Sequence, residues 1–149
     1  MNMPRRKIMK KVIVESQAEL DTVVNEGHMA VINSGEYIVR NGRVETRGNS
    51  RLMAYDDSLV VARDISVVEV YDDSHIVARD ISVVEAYDDS LVVARDTSYV
   101  VAYYDSLVIA RDDSLVVAWG NSIVKTLDNS RVELKTCTCR GDENSGGKL

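Results

Sequence analysis

The side chains with most chemical capacity in this chain are carboxylates, and they come in rows. Asp56-Asp57, Asp72-Asp73 and Asp88-Asp89 recur at sixteen-residue intervals, and Asp64, Asp80, Asp96 and Asp112-Asp113 fall midway between them. Three chemistries fit such rows. Asp tolerates tight reversals and left-handed backbone, so each pair suits a corner of the fold. Asn would serve a corner equally well without setting like charges side by side, so the field of the carboxylates is a second use. A row of negative charge on a slender body presents a phosphate-like surface to a nucleic-acid-binding protein. Calcium at the corners is a third use, but coil-type calcium repeats are Gly-rich nonapeptides and this chain holds only 8 Gly. No metal and no cofactor is expected.

Other reactive residues are sparse. His28 and His75 are the only histidines, and neither stands in a Ser-His-Asp or Cys-His context. No Gly-rich loop follows a strand to hold phosphate. Cys137 and Cys139 are two thiols without the further ligands that a four-coordinate zinc site needs. They read as reduced surface thiols, with an inter-subunit metal or disulfide as the alternative. The expectation is a protein that is not an enzyme.

The elements that position these residues follow from a serine period. Ser50, Ser58, Ser66, Ser74, Ser82, Ser90, Ser98, Ser106, Ser114, Ser122 and Ser130 are spaced by eight without a slip. A fixed short period is the signature of a stacked, quasi-one-dimensional fold. Within each octad, counted from Ser as position 1, apolar and polar positions alternate with the strand period. Positions 1, 3 and 5 are Ser, Val or Ile, and Ala, as in Ser90/Val92/Ala94. They are small and uniform, as a thin core between two close sheets requires. Positions 7 and 8 hold the corner residues, so an octad reads as a five- or six-residue strand and a turn.

The outward positions fix the number of strands per turn. Position 6 alternates Tyr55, Arg63, Tyr71, Arg79, Tyr87, Arg95, Tyr103, Arg111, Trp119. A sixteen-residue turn stacks like on like about 4.8 Å apart, whereas three octads per turn would scramble both columns. The expected fold is all-β, a two-sided parallel β-solenoid of two octads per turn and five to six turns. One face carries Leu59, His75, Leu91 and Leu107 beside Val61, Val77, Val93 and Ile109, flanked by the Arg column. That apolar strip exceeds what a monomer usually exposes, so a homodimer through this face is expected. The Arg column reads as a neutralising partner for neighbouring Asp, and the Tyr/Trp column as a stacked ladder.

Residues 1–41 lie outside the period and read as a small α+β N-terminal cap. Lys11-Val-Ile-Val14 suggests a strand, and Ser16-Gln-Ala-Glu19 is a capping-box pattern opening a short helix. A cap has a purpose, since an open solenoid end exposes unpaired backbone. The solenoid is expected over 42–136 and a polar tail over 137–149. Net charge is −6, but residues 50–130 alone hold 13 Asp and 2 Glu against 5 Arg and 1 Lys. No run of apolar residues is long enough to span a membrane, and the basic start lacks a signal-peptide stretch. Cytoplasmic location is expected.

Asp89-Ser-Leu-Val-Val-Ala-Arg-Asp96 and Trp119-Gly-Asn-Ser-Ile-Val124 resemble a family of uncharacterised octapeptide-repeat proteins with the motif Asn-Ser-x-Val-x-Ala-Trp/Tyr-Gly. Lys10 to Asp21 looks like its usual lead-in. The family occurs in bacteria, gut phages and prophages. The resemblance implies the architecture and a phage or mobile-element context (hence a host-cell cytoplasm), and it implies no activity. The sixteen-residue turn is also similar to that of ice-nucleation repeats, which present Thr-x-Thr rows where this chain presents Leu, Val, Arg, Glu and Tyr. The functional expectation is a DNA mimic or anti-CRISPR-type inhibitor, whose acidic coil occupies the nucleic-acid site of a host protein and does not itself bind nucleic acid. A structural, self-associating module is the alternative.

Overall fold

The computed structural model describes residues 8–135 and the backbone of 140–141. Cys137, Cys139 and most of the expected tail lie outside the described residues. The chain opens with β1 (Lys11–Ile13), α1 (Gln17–Asn25), β2 (Met29–Ile32), β3 (Glu36–Arg40), β4 (Arg43–Thr46) and β5 (Arg51–Tyr55). Then come β6 (Leu59–Ala62), β7 (Val67–Val70), β8 (His75–Ala78), β9 (Val83–Ala86), β10 (Leu91–Ala94) and β11 (Tyr99–Ala102). The last are β12 (Leu107–Ala110), β13 (Leu115–Ala118), β14 (Ile123–Thr126), β15 (Arg131–Leu134) and β16 (Arg140–Gly141).

Successive strands go to opposite sheets. A nine-stranded sheet runs β1-β2-β4-β6-β8-β10-β12-β14-β16, and a seven-stranded sheet runs β3 to β15 through the odd strands. All pairings are parallel, with Leu91 opposite His75 on one side and Leu107 on the other. That is a two-sided parallel β-solenoid with sixteen residues per turn.

It has about eight turns rather than five to six. The coil begins before residue 42, because β2 and β3 already stack on β4 and β5. Those strands escaped the period for a physical reason. Met29 pairs with Arg43 and Glu36 with Arg51, so the first turn is shorter than the rest, and no Ser opens its strands. At the other end Arg140–Gly141 pairs with Ile123–Val124, extending the coil past 136. The regular strands have four residues, not five or six, because positions 6 and 1 close the corner. The Ser66 N–H donates to the Arg63 carbonyl at 3.2 Å, and the Ser66 hydroxyl to the same oxygen at 2.7 Å.

The core is the thin layer expected. Val60, Val68, Val84, Val92 and their equivalents are fully buried, as are the position-5 alanines and most of the serines. Each buried Val contributes about 1.5–3 kcal/mol, and the stack repeats the contribution turn by turn.

Helix α1 seals the start of the seven-stranded sheet. Ser16 accepts from the Glu19 N–H as N-cap, while Glu19 accepts from the Glu15 N–H rather than closing a strict box. The Gln17 amide donates to the Ile38 carbonyl at 2.7 Å and accepts its N–H at 2.9 Å, as a neighbouring strand would. Gly42 replaces the usual Ser here because a β-carbon would lie 2.4 Å from Val24 of the helix.

Candidate functional site

The corner carboxylates divide into two kinds. Position 7 takes left-handed backbone, with φ between 57° and 61° at Asp56, Asp64, Asp72, Asp80, Asp88, Asp96 and Asp112. Its side chain also reaches back one turn. Asp64 Oδ2 accepts the Gly48 N–H at 2.9 Å, Asp80 accepts that of Asp64 at 3.1 Å, and Asp96 accepts that of Asp80 at 3.0 Å. Asp112 continues this row, and Asp72 and Asp88 make the same contact at the other edge. These carboxylates stitch turn to turn along the backbone. Position 8, by contrast, is Asp57, Asp73, Asp89 and Asp105 on one edge, all exposed, with no side-chain hydrogen bond among the described residues.

The edges also differ in charge. Along the Arg-Asp edge, Asp96, Asp112 and Asp128 lie 3.8–3.9 Å from Arg79, Arg95 and Arg111 of the preceding turn. Three turns thus pair one Asp with one Arg, whereas Asp64, Asp80 and Asp113 on this edge have no ion-pair partner among the described residues. Along the Tyr-Asp-Asp edge the position-6 residue is aromatic, so no cation accompanies the pair. Arg40 reaches Asp56 at 3.7 Å. Among the described residues, Asp57, Asp72, Asp73, Asp88, Asp89 and Asp105 have no ion-pair partner.

Beside that edge stands the aromatic ladder. Tyr55, Tyr71, Tyr87 and Tyr103 stack with centroids 4.8 Å apart, and Trp119 follows at 6.5 Å. The Arg40 guanidinium closes the lower end, 4.5 Å from the Tyr55 ring centre. Tyr71 donates to Glu69 and Tyr87 to Glu85, each at 2.8 Å. Burial pushes both phenols well above the usual range, and the hydrogen bond and negative charge of the partner Glu push the same way.

The opposite broad face carries the expected apolar columns. Leu59 and Leu107 are 38 % and 40 % exposed, His75 is exposed, and Leu91, Val61, Val77, Val93 and Ile109 are half-buried. Every one of these side chains lies on the outer surface of the nine-stranded sheet, in register.

One feature escaped the sequence reading, and a second shows in the sequence only as a break in the Asp row. Glu45 is buried in the Val column of the nine-stranded sheet, held by Arg63 at 2.9 Å, Lys11 at 3.0 Å and Arg47 at 3.1 Å. Lys11 and Glu45 are on β1 and β4 with β2 between, so the pair arches over Met29 and Val31, which are buried. Burial alone would raise the Glu45 carboxyl, but hydrogen bonds and charge from Lys11 and Arg47 hold it below its ordinary 4.5. Glu45 also takes the two arginines that would otherwise serve Asp64 and Asp80. The signal was available, since register places Glu45 under Val61 with Arg47 and Arg63 beside it.

The second is Tyr104, a bulky residue at φ 56° in a position-7 slot, 62 % exposed. It interrupts the row, and the Asp88 N–H loses the carboxylate that the other turns supply. Gly120 follows one turn on, where a β-carbon would lie 3.3 Å from the Tyr104 backbone nitrogen.

No protein-family model, no curated protein and no solved structure matches the chain. Among the described residues, no group of three or more His, Cys, Asp or Glu is placed to hold a metal ion. No described helix is long and apolar enough to cross a membrane.

Proposed function

We propose that the chain is a non-enzymatic binding protein, of the phage or mobile-element kind its octads resemble, whose Tyr-Asp-Asp edge occupies the nucleic-acid site of a host defence or regulatory protein. The observation that carries this reading is the inequality of the two edges. Corner chemistry accounts for the position-7 carboxylates, which also bond backbone N–H groups. It does not account for Asp57, Asp73, Asp89 and Asp105, which have no ion-pair partner among the described residues of the chain and repel one another. The Arg-Asp edge, with Ile65, Ile81 and Thr97 at position 8, turns the chain equally well without them.

Charge density fits the role. Two carboxylates per turn of about 4.8 Å give one charge per roughly 2.4 Å. That lies between one DNA strand, about 3.4 Å per charge, and the duplex, about 1.7 Å. Glu69 and Glu85 extend the negative surface over the ladder. The partner is a protein with a cationic groove, bound in a salt-dependent manner.

The test is capture from bacterial lysate on the tagged chain, eluted with a salt gradient. Asp72, Asp73, Asp88 and Asp89→Asn should abolish capture, because Asn keeps the corners and removes the field. Asp80, Asp96 and Asp112→Asn on the other edge should leave it intact. Equal loss with both sets refutes the reading. The apolar face favours a second reading, a self-associating module, under which the chain recovers only itself.

A further inference from the structure

Across the outer face of the nine-stranded sheet the columns run in a fixed order: corner Asp, Leu, Val, Arg. In one turn these are Asp89, Leu91, Val93 and Arg95, spaced by two residues. The turns on either side repeat the order in register. A cleft lined by Asp57, Asp73, Leu59 and His75 together makes the acidic margin and the Leu column one surface. The face is therefore acidic along one margin, basic along the other and apolar between.

Half a turn of rotation about an axis parallel to the coil reverses that order. Laid on a second copy in this way, the face sets Asp against Arg at both margins and Leu against Val between them. The other two-fold, with its axis across the coil, sets Asp on Asp and Arg on Arg. Every column climbs at the same spacing of about 4.8 Å, so each turn meets a counterpart.

We infer that this face is the interface of a parallel homodimer, two coils side by side pointing the same way, with Asp–Arg pairs along both rims. The arginines are free enough to serve it. Arg79, Arg95 and Arg111 keep side chains 39–47 % exposed, and they meet the Asp of their own chain only at 3.8–3.9 Å. The Asp–Leu–Val–Arg order holds on β6, β8, β10 and β12, and β4 and β14 extend the face on either side with Arg43/Glu45 and Ile123/Lys125 in the two middle columns. Over all six strands the face is about 29 Å tall and about 20 Å wide. Two copies together cover roughly 1,150 Å² of flat surface, close to the lower end of stable interfaces at about 1,200 Å². In the dimer Asp72, Asp88, Glu69 and Glu85 stay outside the contact while Asp57, Asp73, Asp89 and Asp105 enter its rim, so the dimer and the partner compete for the position-8 carboxylates.

Sedimentation across the micromolar range tests it, with circular dichroism confirming that each variant is folded. Wild type should be a dimer, and Val93→Glu, which puts a charge on an already outward position, should be a monomer. Asp73→Lys with Asp89→Lys should weaken the dimer about tenfold or more, as should Arg79→Glu with Arg95→Glu. All four changes together should restore it, because each rim then pairs with its sign exchanged. A monomeric wild type overturns the inference, as does a dimer indifferent to Val93→Glu. A folded four-site variant that stays monomeric overturns the parallel arrangement. Val93→Glu leaves every corner carboxylate in place, so capture of the partner by this monomer separates the two proposals.

Discussion

Replacing Asp80 and Asp73 separately by Ala distinguishes the two kinds of carboxylate. Asp80 holds φ at 57°, and its carboxylate accepts the Asp64 N–H at 3.1 Å. Ala in left-handed backbone costs about 1 kcal/mol. Losing an exposed hydrogen bond to a charged acceptor costs about another. Asp80→Ala should therefore lose about 2 kcal/mol, which for a chain of this size lowers the melting temperature by about 4–8 °C. Asp80→Asn keeps both an oxygen acceptor and tolerance of left-handed backbone, as Asn41 does at φ 52° while accepting the Asp57 N–H. It should stay within about 0.5 kcal/mol of wild type. Asp73 supports neither contact, so Asp73→Ala should be neutral or slightly stabilising as repulsion is relieved. Thermal and urea unfolding followed by circular dichroism reads all three. Equal losses from Asp73→Ala and Asp80→Ala, or a loss from Asp80→Asn as large as from Asp80→Ala, would refute the division.

The converse experiment is Tyr104→Asn, which restores an acceptor for the Asp88 N–H and relieves a bulky residue at φ 56°. It should raise stability by about 1–2 kcal/mol in the same unfolding assay. Glu45 predicts an acid response. Its folded pKa lies below the ordinary 4.5, so its contribution is complete above that pH and drains as pH falls through the folded value. Hydrogen exchange at Val12 and Ile13 should accelerate there first, and Glu45→Gln should give the fast exchange at neutral pH, at a cost of about 2 kcal/mol. The phenols predict the opposite limb. Tyr71 and Tyr87 have folded pKa values above the ordinary 10.0, so the stabilisation they carry is full below pH 10 and is lost as pH rises. Ultraviolet titration should show these phenols ionising only as the coil unfolds.

The regular part of the fold was legible because one turn constrains the next. A strict serine period, an inward row of Val and Ala, and the Tyr/Arg alternation leave only a two-octad turn. The first turn was not legible, since a shorter loop between Met29 and Arg43 and the absence of Ser erase the period while the backbone ladder continues. The candidate site was half legible. Sequence placed the Asp rows on two edges but treated them alike, because the bond from Asp80 back to Asp64 exists only once turns are stacked. The expected neutralisation of Asp by Arg is found, and it joins successive turns, as Arg79 does with Asp96. Tyr104 shows the limit from the other side. Its departure from the octad was visible, but its left-handed backbone was a consequence of the corner it inherited.

The proposed function requires that the Tyr-Asp-Asp edge stand in for nucleic acid. With a captured partner in hand, the direct measurement is fluorescence anisotropy of a labelled duplex bound to that partner as the chain is added. Wild type should displace the duplex, raising salt should weaken the displacement, and the Asp72, Asp73, Asp88, Asp89→Asn variant should fail to displace it. A ternary complex of chain, partner and duplex, or equal displacement by the variant, would contradict the proposed function.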